Sequence, residues 1–224
     1  MLEVDGICKT YRKKQVLSGV SLTAEPGQCV GIVGGNGCGK TTLLSILAGA
    51  RKADKGSVKA DGMEILGKPA LQAAKIAYVP QENPFMDELS VKDNLSLWYK
   101  GDRSAMKRDL EDGPAAMLGI NQFLTTPVGK LSGGMKKRLS IASALAGHEK
   151  ILIMDEPGAA LDLVCKEIIQ EYMKQYIKDG GIIILASHEL AELALCTKMY
   201  ILKGGVLSGI DCGLSAKELI SQFR

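Results

Sequence analysis

Two patterns of apolar and polar positions recur along this chain, and they predict two kinds of strand. Cys29 to Val33, Ile151 to Met154 and Ile182 to Ala186 are short, unbroken apolar runs rich in β-branched residues, the pattern of strands covered on both faces. They are expected to form a central parallel sheet. Val4 to Ala24 instead alternates apolar with polar residues around a basic turn near Lys13, and Val58 to Ile65 does so around Asp61-Gly62. Both predict antiparallel hairpins. Met199 to Leu202 and Val206 to Ser208, flanking Lys203-Gly204-Gly205, predict another, and Ile76 to Val79 reads as a strand ending at Pro80.

Helical stretches are expected between the buried strands, at Thr41 to Ala48, Leu163 to Lys178 and Leu190 to Leu195, giving a repeated β-α order. From about Asn83 to Gly147 strand signals fade. Amphipathic segments at Val91 to Trp98, Met106 to Leu110 and Ala115 to Phe123 are broken at Gly113-Pro114 and Pro127, so 83–147 reads as a helical insertion in a single domain spanning 1–224. Ser215 is placed to cap a final helix with Leu219, Ile220 and Phe223 on one face.

Composition narrows the class. With 46% hydrophobic, 24% charged and 4% aromatic residues among 224, the chain suits one globular α/β domain. A net charge of +3 with scattered basic residues gives no reason to expect a nucleic-acid surface. The longest basic blocks, Arg12-Lys13-Lys14 and Lys136-Lys137-Arg138, read as solvated faces. No apolar run approaches the roughly 20 residues of a membrane helix, and Met1 to Asp5 lacks the features of a signal peptide, so a cytosolic location is expected. The six cysteines form no C-x-x-C pair and are expected to be free thiols.

Gly34-Gly35-Asn36-Gly37-Cys38-Gly39-Lys40-Thr41 fits the phosphate-loop pattern between a buried strand and a helix. Glycines let backbone N–H groups turn toward phosphate oxygens, and the helix N-terminus adds partial positive charge. Lys40 would neutralise the outer phosphates. Thr41 would offer its hydroxyl to Mg²⁺, and Thr42 follows within reach of the nucleotide. The pattern alone leaves GTPases, kinases and other ATPases open.

Asp155 and Glu156 stand at the carboxyl end of a predicted parallel strand, where such sheets place ligands. Asp155 would hold Mg²⁺, and Glu156 would orient or deprotonate the water that attacks the γ-phosphate. Solvated acids capping the next helix are the plainer alternative. His188 follows another buried strand, where a neutral imidazole can bond a phosphate oxygen or water. Gln81, just past Pro80, could ligate Mg²⁺ or position water.

Leu131-Ser132-Gly133-Gly134-Met135-Lys136-Lys137-Arg138 strongly resembles the signature of the ATP-binding cassette family. Read physically, Ser132 caps a helix whose first turn Gly133 and Gly134 open, a second anion-binding helix end. The order Tyr11, phosphate loop, Gln81, signature, Asp155-Glu156, the turn Pro157 to Asp162 and His188 extends the resemblance over nearly the whole chain. It implies a P-loop NTPase (RecA-like) core with a mainly parallel sheet, an N-terminal antiparallel β subdomain and an inserted helical subdomain. It further implies that Tyr11 stacks on adenine. In the family two copies pair head to tail, so Ser132, Gly133 and Gly134 would face the nucleotide held by a second ATP-binding subunit, identical or paired. Transmembrane subunits would dock on the helical subdomain, with Phe85, Met86 and Leu89 as the candidate contact or, in the plainer alternative, as core packing, and the ATPase would be peripheral on the inner face of the membrane.

The turn after Glu156 departs from the family pattern, with Gly158 and Ala159 where Thr and Ser are common. Gly-Gly-Met followed by basic residues looks more like exporters than importers. The alternative is a cassette ATPase serving DNA repair, translation or cell division, disfavoured by the single cassette and the lack of long insertions. A small P-loop kinase should lack the signature and His188.

Overall fold

The structure, a computed structural model, describes residues 1–82 and 84–223, without the side chains of Ile220 and Phe223. Asn83, where the helical insertion is expected to begin, and the Ile220 and Phe223 half of the final helix's expected apolar face therefore lie outside the described residues.

The alternating N-terminal segment pairs as expected. Strands β1 (Leu2–Tyr11) and β2 (Lys14–Ala24) form an antiparallel hairpin. Its inward residues Leu2, Val4, Ile7, Leu17, Val20 and Leu22 are buried. The chain then enters β3 (Cys29–Val33) and helix α1 (Lys40–Leu47) before returning through β4 (Lys55–Ala60) and β5 (Met63–Glu64). These last two complete a four-stranded antiparallel sheet of order β2-β1-β4-β5. A helix that the hydrophobic pattern does not announce, α2 (Pro69–Lys75), opens on Pro69 and leads into β6 (Ile76–Val79).

The next stretch is helical, as its polar periodicity predicts: α3 (Val91–Trp98), α4 (Arg103–Asp112), α5 (Pro114–Met117) and α6 (Gly133–Ala144). The segment Ala115 to Phe123 is not one helix. Gly119 takes φ 66° and divides α5 from a 3₁₀ turn at Ile120–Phe123.

Strand β7 (Ile151–Asp155), helix α7 (Leu163–Lys178), β8 (Ile182–Ala186), α8 (Leu190–Leu193), β9 (Lys198–Lys203), β10 (Val206–Ile210) and α9 (Ala216–Phe223) follow. The second sheet runs β10-β9-β3-β8-β7-β6, parallel except for the β9-β10 hairpin. Its unbroken apolar runs are explained by two cores. Ile151, Ile153, Ile182 and Ile184 face the antiparallel sheet and α1, whereas Leu152, Met154, Ile183 and Leu185 face the helices. Side chains of period two must fill both layers at once. The carboxyl ends of β3, β8, β7 and β6 consequently lie side by side along one edge. Among the described residues no helix is long and apolar enough to cross a membrane.

Candidate functional site

The phosphate loop leaves β3 through a turn that only glycine can make. Gly34 has φ 157°, and a Cβ there would sit 2.6 Å from the Leu202 carbonyl oxygen. Gly39, at φ 117°, is the N-cap of α1. Gly35, Asn36 and Gly37 are exposed, Cys38, Gly39 and Thr42 half-buried. Lys40 is buried at 6% exposure, and its Nζ donates to the Gly34 carbonyl at 2.7 Å and the Gly35 carbonyl at 3.4 Å. The ammonium is thus stored against the loop it would leave to meet a phosphate.

Strand β7 ends in the acid pair. Asp155 is 1% exposed, and neither carboxylate oxygen has a hydrogen-bond partner among the described residues. Burial pushes its carboxyl above the ordinary aspartate range; the nearby Thr41 hydroxyl opposes this without closing a hydrogen bond, as do Lys40 and Lys137. Two buried acceptor oxygens without donors, beside a threonine hydroxyl, fit a hard cation with oxygen ligands. Glu156 turns sharply off the strand at φ 49°, a left-handed conformation uncommon for a residue with a Cβ. Its amide donates to the Ala186 carbonyl of β8 at 2.8 Å, holding that turn.

His188, beyond β8, places Nε2 3.7 Å from the Glu156 carboxylate. Burial and, secondarily, Lys40 lower its pKa, against the pull of Glu156, so the imidazole is neutral at pH 7 and keeps one acceptor nitrogen. Beneath it, the Ser187 hydroxyl donates to Glu192, a buried acid over which Gly158 packs.

These groups converge. Tyr11, Val16, Asn36, Gly37, Gly39 to Thr42, Gln81 and Glu156 line one open cleft of about 440 Å³. Tyr11 reaches it from the tip of β1, where Arg51 donates to its hydroxyl at 3.1 Å and the Lys9 ammonium lies 5.4 Å from its ring centre. Ser132, Gly133 and Gly134 are not among the cleft residues. Ser132 and Gly133 are exposed at the start of α6, where the Ser132 hydroxyl accepts from the Met135 amide at 3.2 Å. Gly134 is buried against Cys165 of α7. Of the three candidate docking residues, Met86 is exposed while Phe85 and Leu89 are half-buried.

The block Lys136-Lys137-Arg138 is not a solvated face: Lys137 and Arg138 are buried, Arg138 donating to the Leu118 carbonyl and covering the Phe123 ring. Lys137 instead reaches the Pro80 and Gln81 carbonyls. Helical spacing held the signal, since positions 134, 137, 138 and 141 share the face of α6 turned inward. Val16 of the cleft, the buried acid Glu192 and Ser187 carried no comparable mark in the sequence. The six cysteines are free thiols.

Residues 17–159 match the family described as ABC transporter. The chain is 32% identical to Nod factor export ATP-binding protein I of Paraburkholderia xenovorans (strain LB400) over 97% of its length and 73% of that protein. It is 33% identical to linearmycin resistance ATP-binding protein LnrL of Bacillus subtilis (strain 168), over 94% of its length and 68% of that protein. The solved dimeric structure of a post-hydrolysis state of the ATP-binding cassette MJ0796, bound to ADP and Pi, superposes with a TM-score of 0.84 at 26% identity, covering 96% of this chain and 100% of that one.

Proposed function

The chain belongs to the ABC transporter family as an ATP-binding subunit with ATPase activity, and from that premise we propose that two copies close around ATP to drive a separate membrane-spanning subunit in the direction of export. One observation carries the reading. Tyr11, the phosphate loop, Gln81 and Glu156 share a cleft, while the helix end at Ser132 and Gly133 is solvent-facing and outside it. A cleft lined on one side and a free anion-binding helix end on the same molecule are complementary halves, which a second copy would bring together.

In this reading Tyr11 stacks on adenine, and Lys40 exchanges the Gly34 and Gly35 carbonyls for phosphate oxygens. Thr41, Asp155 and Gln81 hold Mg²⁺, which supplies charge neutralisation on the phosphate oxygens. Glu156 orients the attacking water and takes its proton as the water oxygen bonds to the γ-phosphorus and the bond to the β-γ bridging oxygen breaks, releasing ADP. Neutral His188 hydrogen-bonds the γ-phosphate. The helical stretch up to residue 147 acts as a subdomain of a single cassette, and the subunit works at the inner face of the membrane through its partner. The export direction is supported by the Gly133-Gly134-Met135 start of α6 and by the likeness to the Nod factor export ATP-binding protein.

Glu156→Gln should keep ATP binding while slowing hydrolysis by about 100-fold or more, leaving a dimer that size-exclusion chromatography detects only with ATP. Normal hydrolysis, or a monomer under all conditions, would overturn the assignment.

A further inference from the structure

Lys40 and Lys137 are the buried lysines among the described residues. Lys40 belongs to the phosphate loop; Lys137 has no role in the reading above. It lies on α6, little more than one turn beyond the Ser132 cap, at 4% exposure. Its ammonium donates to the Pro80 carbonyl at 2.9 Å and to the Gln81 carbonyl at 3.0 Å. Those carbonyls belong to the segment that leaves β6 and brings Gln81 to the cleft.

Stripping water from an ammonium is costly, and a packing position on α6 could be filled by an apolar side chain of the same length. Three acids, Asp155, Glu192 and Glu156, act on this ammonium, yet among the described residues its short contacts are to main-chain carbonyls. Charge-assisted bonds shielded from water are short and stiff. They join two segments separated by more than fifty positions in sequence, one beginning at Ser132 and the other ending at Gln81.

We propose that Lys137 is a positioning residue that ties the helix starting at Ser132 to the backbone of Gln81. Displacement of α6 carries Gln81 with it, so the γ-phosphate side of a chain's own cleft responds to whatever grips the Ser132 end of that same chain. In a closed pair, the nucleotide of one cleft would thereby set Gln81 in the other. This link lies within one chain and needs no hydroxyl in the turn after Glu156, where Gly158 and Ala159 supply none. The inference rests on the cleft being the site of ATP hydrolysis, but the tie itself is a property of the nucleotide-free fold.

Lys137→Met and Lys137→Arg in the full chain test it, by amide hydrogen exchange without nucleotide and by ATP binding and turnover. The Met variant should exchange about tenfold faster in the segment following β6, with α1 and β3 unchanged. It should bind ATP within about twofold of the native chain while kcat falls by about 100-fold, the loss expected of a misplaced group. The Arg variant, which keeps charge and donors, should recover most of that loss. Unchanged exchange in the Met variant would overturn the tie, as would turnover within about twofold of native. A joint collapse of thermal midpoint, ATP binding and turnover in both variants would overturn it too, making Lys137 a packing residue. If the native chain hydrolyses no ATP while the exchange difference persists, the hydrolysis reading fails and the tie stands.

Discussion

Asp155 is a buried carboxylate whose oxygens lack donors, and in the nucleotide-free protein it is a local cost. A buried acceptor left without a donor costs about 1–3 kcal/mol, a cost that a bound cation would offset. Asp155→Asn should therefore raise the thermal midpoint of the nucleotide-free protein by about 2–4 °C and abolish the extra stabilisation that Mg²⁺ adds to ATP. Melting curves with ATP in EDTA and with ATP in Mg²⁺ separate the two effects. A lower midpoint without nucleotide would show that the carboxylate is already paired. This residue and Glu156 were legible as candidates because they end an apolar run, but nothing in the run indicates that Asp155 is orphaned. That depends on which groups the neighbouring strands β8 and β6 and the start of α1 place beside the end of β7.

Among the elements, the contact between α6 and the start of α7 decides how the Ser132 turn is held. A Cβ on Gly134 would lie 2.3 Å from the Cys165 sulfur and 2.8 Å from its Cβ, whereas a Cβ on Gly133 would meet nothing nearer than Leu161 at 4.0 Å. Gly134→Ala should cost about 1–3 kcal/mol through overpacking, and Gly133→Ala should leave stability within about 0.5 kcal/mol, both measured by urea unfolding. Equal losses would mean that backbone conformation, not the approach of α7, demands glycine here. The adjacent glycines look alike in the sequence. Their difference arises because one faces a neighbouring helix and the other faces water. The same geometry explains why Lys137 and Arg138 are buried despite belonging to a basic block.

At the scale of the whole molecule, the helical stretch leaves large apolar side chains exposed among the described residues. Met86, Leu97 and Trp98 are 56%, 57% and 42% exposed. The segment carrying Met86 is pinned to α3 by Asn94, whose side chain accepts from the Met86 amide and donates to its carbonyl, both at 3.0 Å. Exposed apolar side chains on the helical side suit the membrane-subunit partner of the proposed reading. Replacing Leu97 and Trp98 by Asp should leave the thermal midpoint within about 2 °C but abolish co-purification of the chain with a multi-span membrane polypeptide. Retained co-purification would move the docking surface elsewhere. Of Phe85, Met86 and Leu89, which the sequence offers for this contact, Met86 is exposed and the other two are half-buried.

The sequence alone determined the strands, most helices, the phosphate loop and the acid pair, because local periodicity, turn chemistry and adjacent motif residues need no knowledge of distant contacts. The unannounced helix α2, the break at Gly119 and the burial of Lys137 depended on what packs against them. Only the tertiary structure decided that Tyr11, Lys40, Gln81 and Glu156 line one cleft while Ser132 lies exposed outside it. The placements of Lys40, Gln81 and Glu156 follow from strand order in the central sheet, and those of Tyr11 and Ser132 from the antiparallel sheet and the packing of the helices; all are set by long-range contacts that no local pattern encodes.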